Sequence, residues 1–226
     1  MDEELLPMIY ETLLAHYGEL QWWPAKTPYE VIVGAILTQN TSWVNVKTAI
    51  ANFGANLSPE SVANTDIAKL AETIRPAGFF NRKAAYLKAV TEWFERYSYD
   101  VFTIRQKPLS KIRAELLSIK GVGQETADSI LLYAFGFPSF VVDAYTVLLC
   151  NRFPVETGKG YAAVKAYFEN NLPQNAKIYN NFHALIVINA KKHCRKAACD
   201  GCPLSETCGK CRLIRDKNLS NTAHIL

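Results

Sequence analysis

No stretch of about 18 consecutive apolar residues occurs in this chain, so no membrane-spanning helix is expected. The opening residues MDEELLPMIY lack the basic segment and apolar run of a secretory signal, and the expected compartment is the cytoplasm. No alternating apolar–polar run of strand length competes with the helical patterns, which leaves no sheet to build on. Strong charge of one sign is missing too. The formal net charge is +4, which permits a nucleic-acid partner without demanding one. What is plentiful is apolar side chains, 49% of 226 residues, enough for one large domain or two lobes with cores of their own.

Residues 3–17 read as an amphipathic helix ended by Gly18. Trp22, Trp23 and Pro24 follow in a loop. Two indoles there either anchor the loop on the core or offer flat faces for stacking, where each stacked base contributes roughly 1–3 kcal/mol. A helix over 29–37 starts at the Thr27 cap with Pro28 in its first turn. The polar run Thr38, Gln39, Asn40, Thr41, Ser42 interrupts it. Trp43 beyond that run either joins the paired indoles or enters the core of a helix over 44–53. Further helices are expected after Ser58 and Asp66 and over 81–97, with Arg82 and Lys83 as solvated charges. A connector spans 104–109, and Ser110 caps a helix over 111–119. This makes about six helices between 29 and 135 with short connections, a compact all-α lobe.

The densest stretch is 116–147. A helix ends at Lys120, Gly121 and Gly123 allow a tight turn around Val122, and a helix over 124–135 follows. Amides at such a helix start can bind an anion, here a DNA phosphate, although an ordinary helix corner explains the glycines as well. Gly136 and Pro138 break the helix, an extended run follows, and Asp143 stands at the start of the next helix. Helices over 161–169 and 179–191 are expected to join the N-terminal helix in a second lobe, and Cys150 to lie buried as a small apolar residue.

Cys194, Cys199, Cys202 and Cys208 stand at spacings x4, x2 and x5, with Pro203 after the third. Four thiols in one compact loop suit a [4Fe-4S] cluster. Zinc is the alternative, although structural zinc prefers two close pairs, and disulfides come third without a secretory signal. His193 and Cys211 flank the set and are expected to stay out of it. From 191 to 217 eight Lys and Arg face three Asp and Glu, a local net of +5 that suits phosphate contact.

Together Leu117 to Gly123, Thr126 and Ala127, Gly136 and Pro138, and Val142 and Asp143 resemble the helix-hairpin-helix, Gly/Pro-rich, Asp signature of the endonuclease III superfamily of DNA base-excision glycosylases. The resemblance runs from about residue 29 to 208. It implies an all-α, two-lobed helix-hairpin-helix DNA glycosylase fold with a C-terminal [4Fe-4S] cluster loop at 194–208. One lobe would span 27–135 and the other 1–26 with 136–226. Within the superfamily, Trp22, Trp23 and Pro24 followed by Thr38 to Thr41 look most like the 3-methyladenine DNA glycosylase branch. By resemblance, Asp143 is the catalytic carboxylate and Gln39 the wedge that fills the gap left by a flipped nucleotide. Trp22, Trp23 and Trp43 would line the base pocket, with Glu125 beside them, and Lys120 with the Gly121–Val122–Gly123 turn would meet DNA. Bifunctional members carry a lysine in the second hairpin helix that forms a Schiff base. This chain has Glu125 there, and a carboxylate cannot do so. The family's usual cysteine spacing is x6-x2-x5, so the first loop here is two residues shorter.

The implied protein is a monomeric, monofunctional glycosylase that acts on double-stranded DNA containing damaged bases and releases alkylated purines. Two alternatives remain: a mismatch thymine or uracil glycosylase, and a non-catalytic helix-hairpin-helix DNA-binding protein.

Overall fold

The computed structural model describes residues 4–20, 22–153, 155–195, 199–209 and 211, and among these every regular element is helical. Chain contacts divide the protein into two compact units. One is Trp23–Ser139, and the other joins the two chain ends, up to Trp22 and from Phe140 onward.

The Trp23–Ser139 unit is built around α2 (Pro28–Leu37), which buries Tyr29 and every residue from Val31 to Leu37. A helix apolar all round belongs inside a core. The Thr27 hydroxyl accepts from Glu30 N at 3.1 Å and Pro28 fills the first turn, as the sequence indicates. Around it lie α3 (Trp43–Ala51), α4 (Pro59–Asn64), α5 (Ile67–Thr73), α6 (Phe80–Glu95), α7 (Val101–Arg105), α8 (Leu109–Ser118) and α9 (Gln124–Ser129). That is eight helices, not six.

One of the added helices is α7. It overlaps the expected 104–109 connector because Asp100 caps Phe102 N and Thr103 N, both at 2.9 Å. Ser110 is not a cap either: α8 begins two residues earlier than expected, at Leu109 behind Pro108, with no side-chain cap. The helix expected over 124–135 is α-helical only to Ser129 and then winds as a wider π turn over Ile130–Ala134.

A third correction concerns Lys83. It is not solvated but 2% exposed, and its ammonium donates to Leu37 O at 2.8 Å and Ala77 O at 2.7 Å. Burial pushes its amine below the usual lysine range. The Leu37 carbonyl is one of the acceptors a helix end leaves open, so Lys83 closes the C-terminus of α2 just before the Gln39 run.

The second unit holds α1 (Leu5–Tyr17), α10 (Ala144–Cys150), α11 (Tyr161–Asn170) and α12 (Ala176–Asn189). Its core is aromatic: Phe140 stacks on Phe168 at 4.3 Å, and Tyr179 and Phe182 of α12 meet Phe140 edge-on at 5.5 and 6.2 Å. The Asn181 side chain accepts from Leu20 N at 2.8 Å and fastens the segment after α1 to α12. Beyond α12 the chain takes one π turn, Ala190–Cys194, and enters the cysteine loop. Among the described residues no helix is long and apolar enough to cross a membrane.

Candidate functional site

In the Trp23–Ser139 unit the hairpin formed by α8 and α9 turns at Lys120, Gly121, Val122 and Gly123. Gly121 has φ +90°, and a Cβ there would meet the Tyr86 ring at 2.3 Å. Glycine is therefore required both by backbone conformation and by close approach. Gly123 opens α9 with nothing within 4 Å of the position a Cβ would take. Val122 is buried beneath the turn, whereas Lys120 and Glu125 are exposed, Glu125 in the first turn of α9. The hairpin is braced from below. The buried Asp128 carboxylate accepts from Arg113 Nε at 2.8 Å and Nη2 at 3.0 Å, and from the Ser139 hydroxyl at 2.7 Å. This ties α8, α9 and the chain beyond the π turn into one piece.

Gln39 meets this hairpin. Its amide nitrogen donates to Gly121 O at 2.9 Å and to the Thr126 hydroxyl at 3.1 Å. The Gln39 loop is thus held at both ends, by Lys83 behind it and by the hairpin turn in front. Trp23 and Trp43 meet edge-to-face at 5.5 Å, and Trp23 also packs on Tyr133 at 4.9 Å. The indole of Trp23 lies over Gly34 so closely that a Cβ there would stand 3.2 Å from it. Both tryptophans are half-buried.

In the other unit Asp143 caps α10. Its Oδ1 accepts from Tyr145 N at 2.9 Å, from Thr146 N at 2.8 Å and from the Thr146 hydroxyl at 3.1 Å. Its Oδ2 faces His183 Nε2 of α12 across 3.6 Å. Burial alone would raise this carboxyl. The facing imidazole and the Thr146 hydrogen bonds outweigh it and hold Asp143 below the usual carboxylate range. His183 was not singled out from the sequence. It lies within the apolar run of α12, and no motif spacing links it to Asp143. Trp22 stands in the same unit with Lys191 Nζ 5.6 Å from its ring, and the same ammonium is 5.7 Å from the Tyr145 ring.

The four loop cysteines line one cavity together with Cys211, His193, Asn189, Leu149 and Arg152. Arg152 donates to Cys194 O at 2.6 Å, and Asn189 reaches the Cys202 sulfur at 3.9 Å. Burial, with the nearby Cys202, Cys208 and Cys199, pushes the Cys194 thiol up to about 11 in spite of Arg152. Burial and its hydrogen bonds with Cys199 and Cys208 push Cys211 up strongly as well. Thiols this crowded resist ionising unless a cation offsets their charge, which bound iron does. Among the described residues no three His, Cys, Asp or Glu side chains are arranged to hold a metal ion. A cubane cluster spreads its four thiolates more widely than one ion does, so a cavity shared by half-buried Cys194 and Cys199 and buried Cys202 and Cys208 suits the cluster. Of the basic run, Lys191, Lys192 and Arg195 are described, while Lys196, Lys210, Arg212, Arg215 and Lys217 lie outside the described residues.

Residues 33–174 match the family model described as HhH-GPD superfamily base excision DNA repair protein. A Methanocaldococcus jannaschii protein, provisionally named a DNA repair glycosylase, is 52% identical over 211 residues, 91% of this chain and 96% of that one. The solved H. pylori 3-methyladenine DNA glycosylase bound to 1,N6-ethenoadenine is 28% identical with a TM-score of 0.70, covering 84% of this chain and 97% of that one. A trapped endonuclease III–DNA covalent intermediate matches in fold, with a TM-score of 0.78 at 19% identity over 94% of this chain and 98% of that one.

Proposed function

The chain belongs to the HhH-GPD superfamily of base excision DNA repair proteins and is a DNA glycosylase of that superfamily; from that premise we propose that it hydrolyses alkylated purines from duplex DNA without a lyase step. The observation that carries the substrate reading is the edge-to-face pair of Trp23 and Trp43, with the Trp23 indole lying against Gly34. An indole face attracts a cation more strongly than any other side-chain ring. Purines alkylated at N3 or N7 are cationic, whereas mismatched thymine and uracil are neutral. The relative solved with 1,N6-ethenoadenine, a 3-methyladenine glycosylase, supports the same reading.

In this mechanism the hairpin turn and Lys120 hold phosphates. Gln39 leaves its bonds to Gly121 and Thr126 and fills the gap as the damaged nucleotide rotates out. The base stacks on Trp22, Trp23 or Trp43. The C1′–N bond breaks with its electron pair going to the base, so a cationic purine departs neutral and needs no proton. Asp143 stabilises the oxocarbenium-like sugar and receives the proton of the water that adds to C1′. Glu125, at the position of the lyase lysine in bifunctional relatives, provides no amine for a Schiff base. Cys194, Cys199, Cys202 and Cys208 would hold a [4Fe-4S] cluster, which when bound ties the loop into a rigid fold and offsets the thiolate charge. Lys191, Lys192 and Arg195 on that loop's stem are the described cations beside it that can meet phosphate.

The test is borohydride trapping alongside base release from a duplex containing 7-methylguanine. Free base with no trapped covalent adduct is expected, and Trp23→Ala should slow release about tenfold or more, the worth of one lost stacking contact. A trapped adduct would assign a lyase. Release indifferent to Trp23→Ala and Trp43→Ala would remove the alkylpurine reading.

A further inference from the structure

Among the described residues three aspartates cap helices, and they use their oxygens differently. Asp100 spends both: Oδ1 on Phe102 N, Oδ2 on Thr103 N and the Thr103 hydroxyl. Asp66 caps through Oδ1 alone, but at the exposed surface. Asp143 places its three cap bonds on Oδ1 while largely buried, its side chain 16% exposed, and turns Oδ2 toward the His183 imidazole, itself 7% exposed. The 3.6 Å gap is longer than a hydrogen bond, so Oδ2 is approached without being capped. A cap needs one oxygen and no histidine.

We propose that His183 is a positioning residue for Asp143, fixing the orientation and charge of the Oδ2 that acts on the sugar. This rests on the reading of Asp143 as the catalytic carboxylate. Oδ1, bonded into the start of α10, cannot swing, and α12 sets the imidazole opposite the remaining oxygen. The other polar groups brought toward α10 are engaged elsewhere. Lys191 stands over the Tyr145 ring, Arg195 donates to the Tyr145 hydroxyl at 3.4 Å, and the Tyr161 hydroxyl of α11 accepts from Val142 N at 3.4 Å. Of the charged and titratable groups on these elements, His183 is the one set against Oδ2.

A facing imidazole keeps the carboxylate ionised further into acid. Its loss should let Asp143 protonate at higher pH, so the acid limb of the reaction moves up. The experiment compares wild type, His183→Gln and Asp143→Asn by carboxyl-carbon NMR titration of Asp143, single-turnover base release from a 7-methylguanine duplex across pH, and duplex binding. His183→Asn replaces the glutamine variant should that one fail to fold. The expected result is an Asp143 titration moved to higher pH in His183→Gln, an acid limb displaced equally, and unchanged DNA affinity. An unmoved titration and acid limb would overturn the proposal. A titration that moves while Asp143→Asn still releases base would overturn the catalytic reading of Asp143, and the positioning role with it, while leaving the pairing of the two side chains intact.

Discussion

Lys83 shows how a single side chain prepares the site. Its ammonium lies between the carbonyls of Leu37 and Ala77, so it fixes where α2 stops and where the Gln39 loop starts. Lys83→Met keeps the volume and leaves two buried acceptors without their donor, each costing about 1–3 kcal/mol. Thermal unfolding should show a loss of about 2–6 kcal/mol, and base release should fall through a misplaced Gln39. A variant as stable as wild type would mean the carbonyls find other donors. The sequence hid this role. An Arg–Lys pair opening an amphipathic helix reads as solvated charge, and only the packing of α6 against α2 turns Lys83 inward. Asp143 was legible for the opposite reason: its place after a Gly/Pro break and before an apolar helix is a local pattern. Its partner His183 was not, because the pair forms only when α10 meets α12.

At the scale of elements, four helix starts were legible from the side chain that caps them. Thr27, Ser58, Asp66 and Asp143 all accept from the backbone as their residue types suggest. Helix α8 went astray because it begins behind Pro108 with no side-chain cap, and α7 because a five-residue helix has too little periodicity to stand out. The hairpin turn was legible from its glycines, and the structure adds the reason for the first: the Tyr86 ring occupies the space of a Cβ. Gly121→Ala combines a left-handed backbone with an overpacked contact against an aromatic ring. It should cost about 2–4 kcal/mol and lower the melting temperature by roughly 5–15 °C, with weaker duplex binding. A fully stable variant would mean that Tyr86 swings aside and the turn does not depend on glycine.

For the whole molecule, composition left room for two cores and the residue periodicity indicated helices; the described residues form two compact units with only helices among their regular elements. The cysteine loop was legible as a set of spacings. Composition alone did not show that Cys211 and His193 border the same cavity, because burial decides that. The proposed activity is release of alkylpurines through Asp143 with the backbone left intact. The most direct measurement is base release and strand scission on duplexes carrying 3-methyladenine, 7-methylguanine, uracil opposite guanine or thymine opposite guanine, for wild type and Asp143→Asn, with and without alkali. Free alkylpurine is expected from wild type, with a loss of about 100-fold or more in Asp143→Asn and strand breaks only after alkali. Release of uracil or thymine with the alkylpurines left in place, or strand breaks without alkali, would contradict it.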